Sequence, residues 1–153
     1  MHKTIISDTS CFIILNKINE LELLRKTFEQ IVTTPEILEE FGEKLPSWVK
    51  IESVTDKEKQ KALEMQIDRD EASALSFALE IQNCTLNLYD YKARKLAENL
   101  KLVYTGTIGI IIRAKTKNII PSIIPILEKI KKTDFRLPKD IETLALIEAG
   151  EYK

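Results

Sequence analysis

The sequence predicts an α/β protein with a central parallel sheet of about five strands, covered by helices on both faces. Three observations predict it. Short β-branched runs alternate with amphipathic segments along the whole chain, and no internal repeat interrupts them. Strands separated by helices in this way pair in parallel. The first run, Thr4-Ile5-Ile6-Ser7, stops abruptly at Asp8-Thr9-Ser10, which is how such a sheet presents a carboxylate at the carboxyl end of its first strand.

The elements follow in order. A strand at residues 4 to 7 leads into a helix capped by Ser10 and running through Leu15. Residues 20 to 28 carry apolar side chains at helical spacing, and Gln30 to Thr33 is the second strand. Thr34-Pro35 opens a helix with proline in its first turn, and Gly42 closes it after Phe41. Val49 to Val54 alternates as a strand. Asp56 to Gln66 is a charged, solvated helix, and Asp70 to Gln82 a helix with Ala72, Leu75, Ala78 and Leu79 on one face. Thr85 to Leu88 is the fourth strand, Lys92 to Asn99 a helix, and Leu102 to Tyr104 the fifth strand. Thr107 caps a helix from Ile108 to Lys117. The remainder is mostly helical, with a short extended piece at Phe135-Arg136-Leu137.

Composition narrows the function classes. A chain of 153 residues, 44% hydrophobic and 31% charged, suits one globular domain spanning residues 1–153. The longest apolar stretch, residues 119 to 127, is too short for a bilayer span and holds two prolines, and the N-terminus lacks a signal-peptide core; the expected location is cytoplasmic. Cys11 and Cys84 lack metal-type spacing and read as reduced core residues. One histidine, His2, argues against a zinc site and histidine catalysis. A net charge of −1 gives no bulk signal for nucleic acid, so a nucleic-acid partner would need a local basic patch. No glycine-rich phosphate loop is present, which excludes a P-loop enzyme.

Four acidic groups remain: Asp8, Glu40, the cluster Asp68, Asp70 and Glu71, and Asp90. Each has an ordinary structural role open to it, as a helix cap, a first-turn acid or a solvated glutamate. Taken together they carry more weight, because Asp8 and Asp90 both follow strand ends and Glu71 opens a helix that can begin on that side. Carboxylates converging on one edge repel each other unless a divalent cation sits between them. Hard oxygen ligands without imidazole or thiolate favour Mg²⁺ or Mn²⁺ and suit phosphate chemistry.

The blocks Ile6-Ser7-Asp8-Thr9-Ser10, Thr34-Pro35-Glu36-Ile37-Leu38-Glu39-Glu40-Phe41, Asp70-Glu71-Ala72-Ser73-Ala74-Leu75 and Tyr89-Asp90-Tyr91-Lys92-Ala93-Arg94-Lys95-Leu96-Ala97 resemble, in order and spacing, the successive blocks of PIN-domain proteins. Gly106-Thr107-Ile108-Gly109 with Arg113-Ala114-Lys115 extends the match, and Phe135 to Glu151 is similar to the tail of a small prokaryotic PIN-like group. The resemblance implies a three-layer α/β/α sandwich and a metal-dependent ribonuclease site of clustered carboxylates. It also implies RNA as substrate, and in many small relatives an antitoxin protein as partner and a homodimer as assembly. Carried over by position, Asp8, Glu40 and Glu71 match family acids and Ser10 a hydroxyl near the metal. Asp70 stands where the family block has glycine, and Tyr89 where it has an acid, with Asp90 one residue on.

Asp90 replaces that carboxylate if the chain has turned before it. The RNA contacts expected are Arg94, which belongs to a family block, and Thr107, which opens a helix whose N–H groups can hold a phosphate. The leading reading is an endoribonuclease using Mg²⁺ or Mn²⁺ on Asp8, Glu40, Glu71 and Asp90, of the kind found as toxins of toxin–antitoxin pairs. The alternative is a catalytically weak or inactive PIN-like module binding RNA or a protein, supported by Tyr89. A dehalogenase-type phosphatase is disfavoured by Ser10, which stands where such enzymes carry a second acid.

Overall fold

The computed structural model describes residues 2–153. β1 (Thr4–Ser7) lies at the centre of a five-stranded sheet whose other strands are β2 (Gln30–Thr33), β3 (Val49–Ile51), β4 (Thr85–Asn87) and β5 (Val103–Thr105). Their spatial order is β3-β2-β1-β4-β5, with every pairing parallel. Ile5 sits opposite Ile31 on one side and Thr85 on the other. Successive strand side chains point to opposite faces, and Ile5 and Ile6 are both fully buried, so helices cover both faces. The expected α/β sandwich with a five-stranded parallel sheet is therefore present.

The helices are α1 (Thr9–Lys17), α2 (Glu22–Thr27), α3 (Pro35–Phe41), α4 (Lys57–Leu63), α5 (Arg69–Ile81), α6 (Tyr91–Asn99), α7 (Thr107–Thr116), α8 (Ile124–Lys131) and α9 (Lys139–Glu148). α3 has the predicted punctuation: Thr34 caps it with its hydroxyl on Ile37 N, and Gly42 ends it at φ 75°, a conformation glycine adopts without steric cost. Phe12, Leu15, Ile37, Leu75, Leu86 and Ile110 are among the fully buried side chains that join helices to sheet.

Four local expectations are corrected. Asp8, not Ser10, caps α1: its carboxylate accepts from Cys11 N, and an acid one residue past a strand satisfies the orphan donors of the first turn. Gly106, not Thr107, is the cap residue of α7, and Thr107 is already helical. The strand predicted through Val54 stops at Ile51, since β3 is an edge strand with a partner on one side only. Residues 135 to 137 form no strand, because β5 ends the sheet and α8 and α9 flank this segment. Cys11 and Cys84 are free and buried, as expected of reduced core residues.

The C-terminal segment is locked by Glu151. Its carboxylate accepts from Ile123 N at 2.8 Å and from the Ser122 hydroxyl, and Lys115 Nζ lies 3.3 Å away and also donates to Ala149 O. The Ile123 and Ser122 hydrogen bonds, more than the ammonium, hold its pKa below the ordinary 4.5. A lowered carboxyl pKa stabilises the fold above the ordinary value and loses that effect as pH falls through the lowered one. Glu151→Ala is therefore expected to cost roughly 1 kcal/mol at pH 7, allowing for its position near solvent. In thermal denaturation the difference from wild type should vanish in acid.

Candidate active site

The carboxyl ends of β1 and β4 meet at one point. Asp8, directly after β1, is 2% exposed. Its Oδ1 accepts from Cys11 N at 2.9 Å and its Oδ2 from Tyr89 N at 2.8 Å, while its own N–H donates to Asn87 O at 3.1 Å. One carboxylate thus caps α1 and clamps the turn after β4. Burial raises its pKa, the Cys11 and Tyr89 donors oppose the rise, and Asp70 adds to it.

The next residue, Thr9, donates its hydroxyl to Asp70 Oδ2 at 2.8 Å. Asp70 O accepts from Ser73 Oγ at 2.6 Å, and Ser73 Oγ lies 2.6 Å from Thr34 Oγ1. A continuous polar chain therefore ties the starts of α1, α5 and α3 together at the sheet edge. Oxygens of Asp68, Asp70 and Glu71 lie within 4.8 Å of one another. Glu71 is the centre of the electrostatics: burial first, then Asp90, Asp70, Asp68 and Asp8, push its carboxyl from 4.5 up to about 7.

Asp90 caps α6 with Oδ2 on Ala93 N at 3.1 Å and is the leading charge acting on Glu71. Tyr89 and Asp90 part company at this turn. Tyr89 is 54% exposed and its ring stands edge-on to Phe135, with centroids 6.1 Å apart, whereas Asp90 shares a cleft with Asp68, Glu71 and Lys92.

Glu40 is exposed on the last turn of α3, and among the described residues it makes no ion pair or side-chain hydrogen bond. It is not among the leading charges acting on Glu71. An Arg69–Glu39 ion pair at 3.6 Å holds its turn beside the start of α5. Ser10 is half-buried in the first turn of α1. Arg94 is folded inward: Nε donates to Leu88 O at 2.9 Å and the guanidinium lies 5.7 Å from the Tyr104 ring centroid. A Cβ on Gly106 would stand 2.2 Å from Arg94 Nη2, so glycine makes room for it. Thr107 is buried, and its Oγ1 has no hydrogen-bond partner.

Sequence reasoning passed over Asp68 and Asp70 as ligands because acids in a first turn are common. The signal that finds them is the hydroxyl pair Thr9 and Ser73, one in each opening turn, which hold Asp70 in place.

The donor set is entirely oxygen and carries a surplus of negative charge, which fits a hard divalent cation better than zinc or copper. No described helix is long and apolar enough to cross a membrane. A family model described as a PIN domain matches residues 4–151, and no curated protein and no solved structure matches the chain. That match spans every strand and the whole acidic edge, and the chain belongs to the PIN-domain family.

Proposed function

We propose that the protein is a divalent-metal-dependent endoribonuclease, with Mg²⁺ or Mn²⁺ held by Asp8, Glu71 and Asp90, assisted by Asp68 and Asp70 and with Glu40 at the margin. The observation that supports it is Glu71, a carboxyl pushed up to about 7 beside four other acids at the sheet edge of a PIN domain. Such an arrangement costs stability and is relieved by a cation. When bound, the ion supplies Lewis acidity toward a phosphoryl oxygen and lowers the pKa of water.

The chain's own groups do the rest. Asp8 is held at a fixed orientation by two peptide N–H groups, and Thr9 orients Asp70. Lys92, which lines the cleft with Glu71 and Asp90, and the N-terminal turn of α7 are the donors proposed for phosphate oxygens, with Ser10 as a further hydroxyl. Arg94 supports the 88–90 turn from beneath and carries positive charge behind it. A toxin role, with an antitoxin partner and homodimer assembly, extends this reading. Inducing the chain in a bacterial host while following growth and bulk RNA tests the extension.

The test of the central reading is cleavage of a mixed-sequence single-stranded RNA. Wild type cuts with Mn²⁺ and stops in EDTA. Asp90→Asn lowers the rate by roughly 10- to 100-fold or more, by analogy with losses at metal-site neighbours; Tyr89→Phe leaves it nearly unchanged. A wild type and a Tyr89→Asp variant that both fail to cut would favour the second reading, an RNA-binding module. That reading draws on Asp8, both of whose oxygens already accept peptide N–H groups.

A further inference from the structure

Beside the 88–90 turn lies a cavity of about 360 Å³, lined mostly by apolar residues and sharing no lining residue with the acidic cleft. Tyr89, Phe135, Leu137 and Ile141 line it, together with Arg136 and with Arg94 and Thr107, the two RNA contacts expected from the sequence. Its size falls within the range of small-ligand sites, about 300–1,000 Å³. Neither the expected acids nor the metal chemistry accounts for it.

We infer that this cavity is a stacking subsite for one unpaired nucleobase of the RNA strand whose phosphate lies at the carboxylates. The inference rests on the ribonuclease reading for the identity of the strand, and four observations argue for it. First, Tyr89 joins the two places: its N–H is bound to Asp8 Oδ2 at 2.8 Å while its ring lines the cavity. A nucleotide next to one held at the acids therefore lies beside the ring. Second, consecutive residues of the turn meet different surroundings, Asp90 lining the cleft with Asp68 and Glu71 and Tyr89 packing against Phe135, so the acids and the aromatic wall flank one peptide.

Third, the Tyr89 and Phe135 rings are nearly perpendicular, at 86°, which leaves the half-exposed Tyr89 ring without a stacked partner on the protein. An aromatic face of this kind accepts any base. Fourth, the rim carries positive charge suited to the strand's backbone. Arg136 is exposed, and among the described residues it forms no ion pair. Lys17 Nζ lies 5.8 Å from the Phe135 centroid, although it also pairs with Asp134 at 2.7 Å. The cationic rim suits a phosphate, and the unstacked aromatic face suits a base better than an aliphatic side chain.

The test is equilibrium binding of a fluorescein-labelled twelve-nucleotide single-stranded RNA to the full chain in EDTA, where no strand is cut. A second strand carries abasic residues throughout. Loss of one base stack weakens binding by roughly 5- to 150-fold. Tyr89→Ala is expected to show a loss in that range with the intact strand and little with the abasic one; Tyr89→Trp retains affinity and its fluorescence is quenched by RNA. Equal binding of the intact strand by wild type and Tyr89→Ala overturns the inference and leaves the cavity to a protein partner. So does an equal loss on both strands, which would mean that Tyr89 acts through the backbone contacts. Cleavage read in parallel keeps the two readings apart. A chain that binds through Tyr89 but never cuts with Mn²⁺ defeats the nuclease reading alone, and one that cuts with Tyr89→Ala binding unchanged defeats the subsite alone.

Discussion

Glu71→Gln is expected to abolish Mn²⁺-dependent RNA cleavage and, in EDTA at pH 8, to make the protein more stable than wild type. Both effects come from one carboxyl pushed from 4.5 up to about 7 by burial and by Asp90, Asp70, Asp68 and Asp8. Below pH 4.5 the group is protonated folded or unfolded. Between 4.5 and about 7 only the folded chain keeps the proton, so folding loses that advantage progressively as pH rises, and above about 7 the folded state carries the full repulsion. A shift of this size corresponds to about 3 kcal/mol, and solvent in the open cleft reduces it to roughly 1–2 kcal/mol. Urea unfolding should show Glu71→Gln more stable at pH 8 and equal to wild type near pH 4. Saturating Mn²⁺ should reverse the ranking at pH 8, because only wild type retains the full ligand set. Mn²⁺ affinity of the wild type should also fall as pH drops below 7, since the ion must displace a proton. An unchanged ranking with and without Mn²⁺ would remove Glu71 from the metal site.

Asp8→Ala is expected to lower stability by about 2–3 kcal/mol, because it leaves the buried Cys11 N and the partly buried Tyr89 N with no acceptor. Some of the loss is offset, since burial raises the pKa of Asp8 and its charge is itself costly. Asp8→Asn separates the two roles. Its amide oxygen keeps the cap on Cys11, while its NH₂ meets the Tyr89 N–H donor to donor, so it should recover only the Cys11 part of the lost stability. Calorimetric titration with Mn²⁺ should still show affinity weakened at least tenfold, as a neutral amide replaces a charged ligand. A stable Asp8→Asn variant with wild-type affinity would make Asp8 a structural cap only.

What the sequence revealed, and what it concealed, divides along the range of the interactions. β1, β2 and α3 were legible to the residue, because Thr4–Ser7, Gln30–Thr33 and the Thr34-Pro35 to Gly42 segment carry their stop signals locally. Ser10 was mistaken for the cap since a hydroxyl before an apolar run is a normal N-cap; Asp8 prevails because the same carboxylate also meets Tyr89 N, 81 residues away. The placement of Arg94 was equally hidden. Its block marks the residue, but only the tertiary contacts with Leu88 O, Tyr104 and Gly106 turn it inward. The acids of the cleft were legible as types at element ends, whereas the coupling that singles out Glu71 depends on how α5 meets β1 and β4.

The sheet order β3-β2-β1-β4-β5 puts the first strand to be synthesised in the middle. During synthesis, therefore, β1 has only the β2 side of its hydrogen-bonding ladder satisfied until residues 85–87 emerge, and its other edge stays open through about half the chain. Asp8 likewise waits for Tyr89. A ribosome-bound fragment already holds Asp8, Glu40 and Glu71, yet it cannot close the turn that fixes Asp8 against β4. The acidic edge is thus complete only once residue 90 has emerged, so that shorter chains carry Asp8 and Glu71 without the contact that orients Asp8.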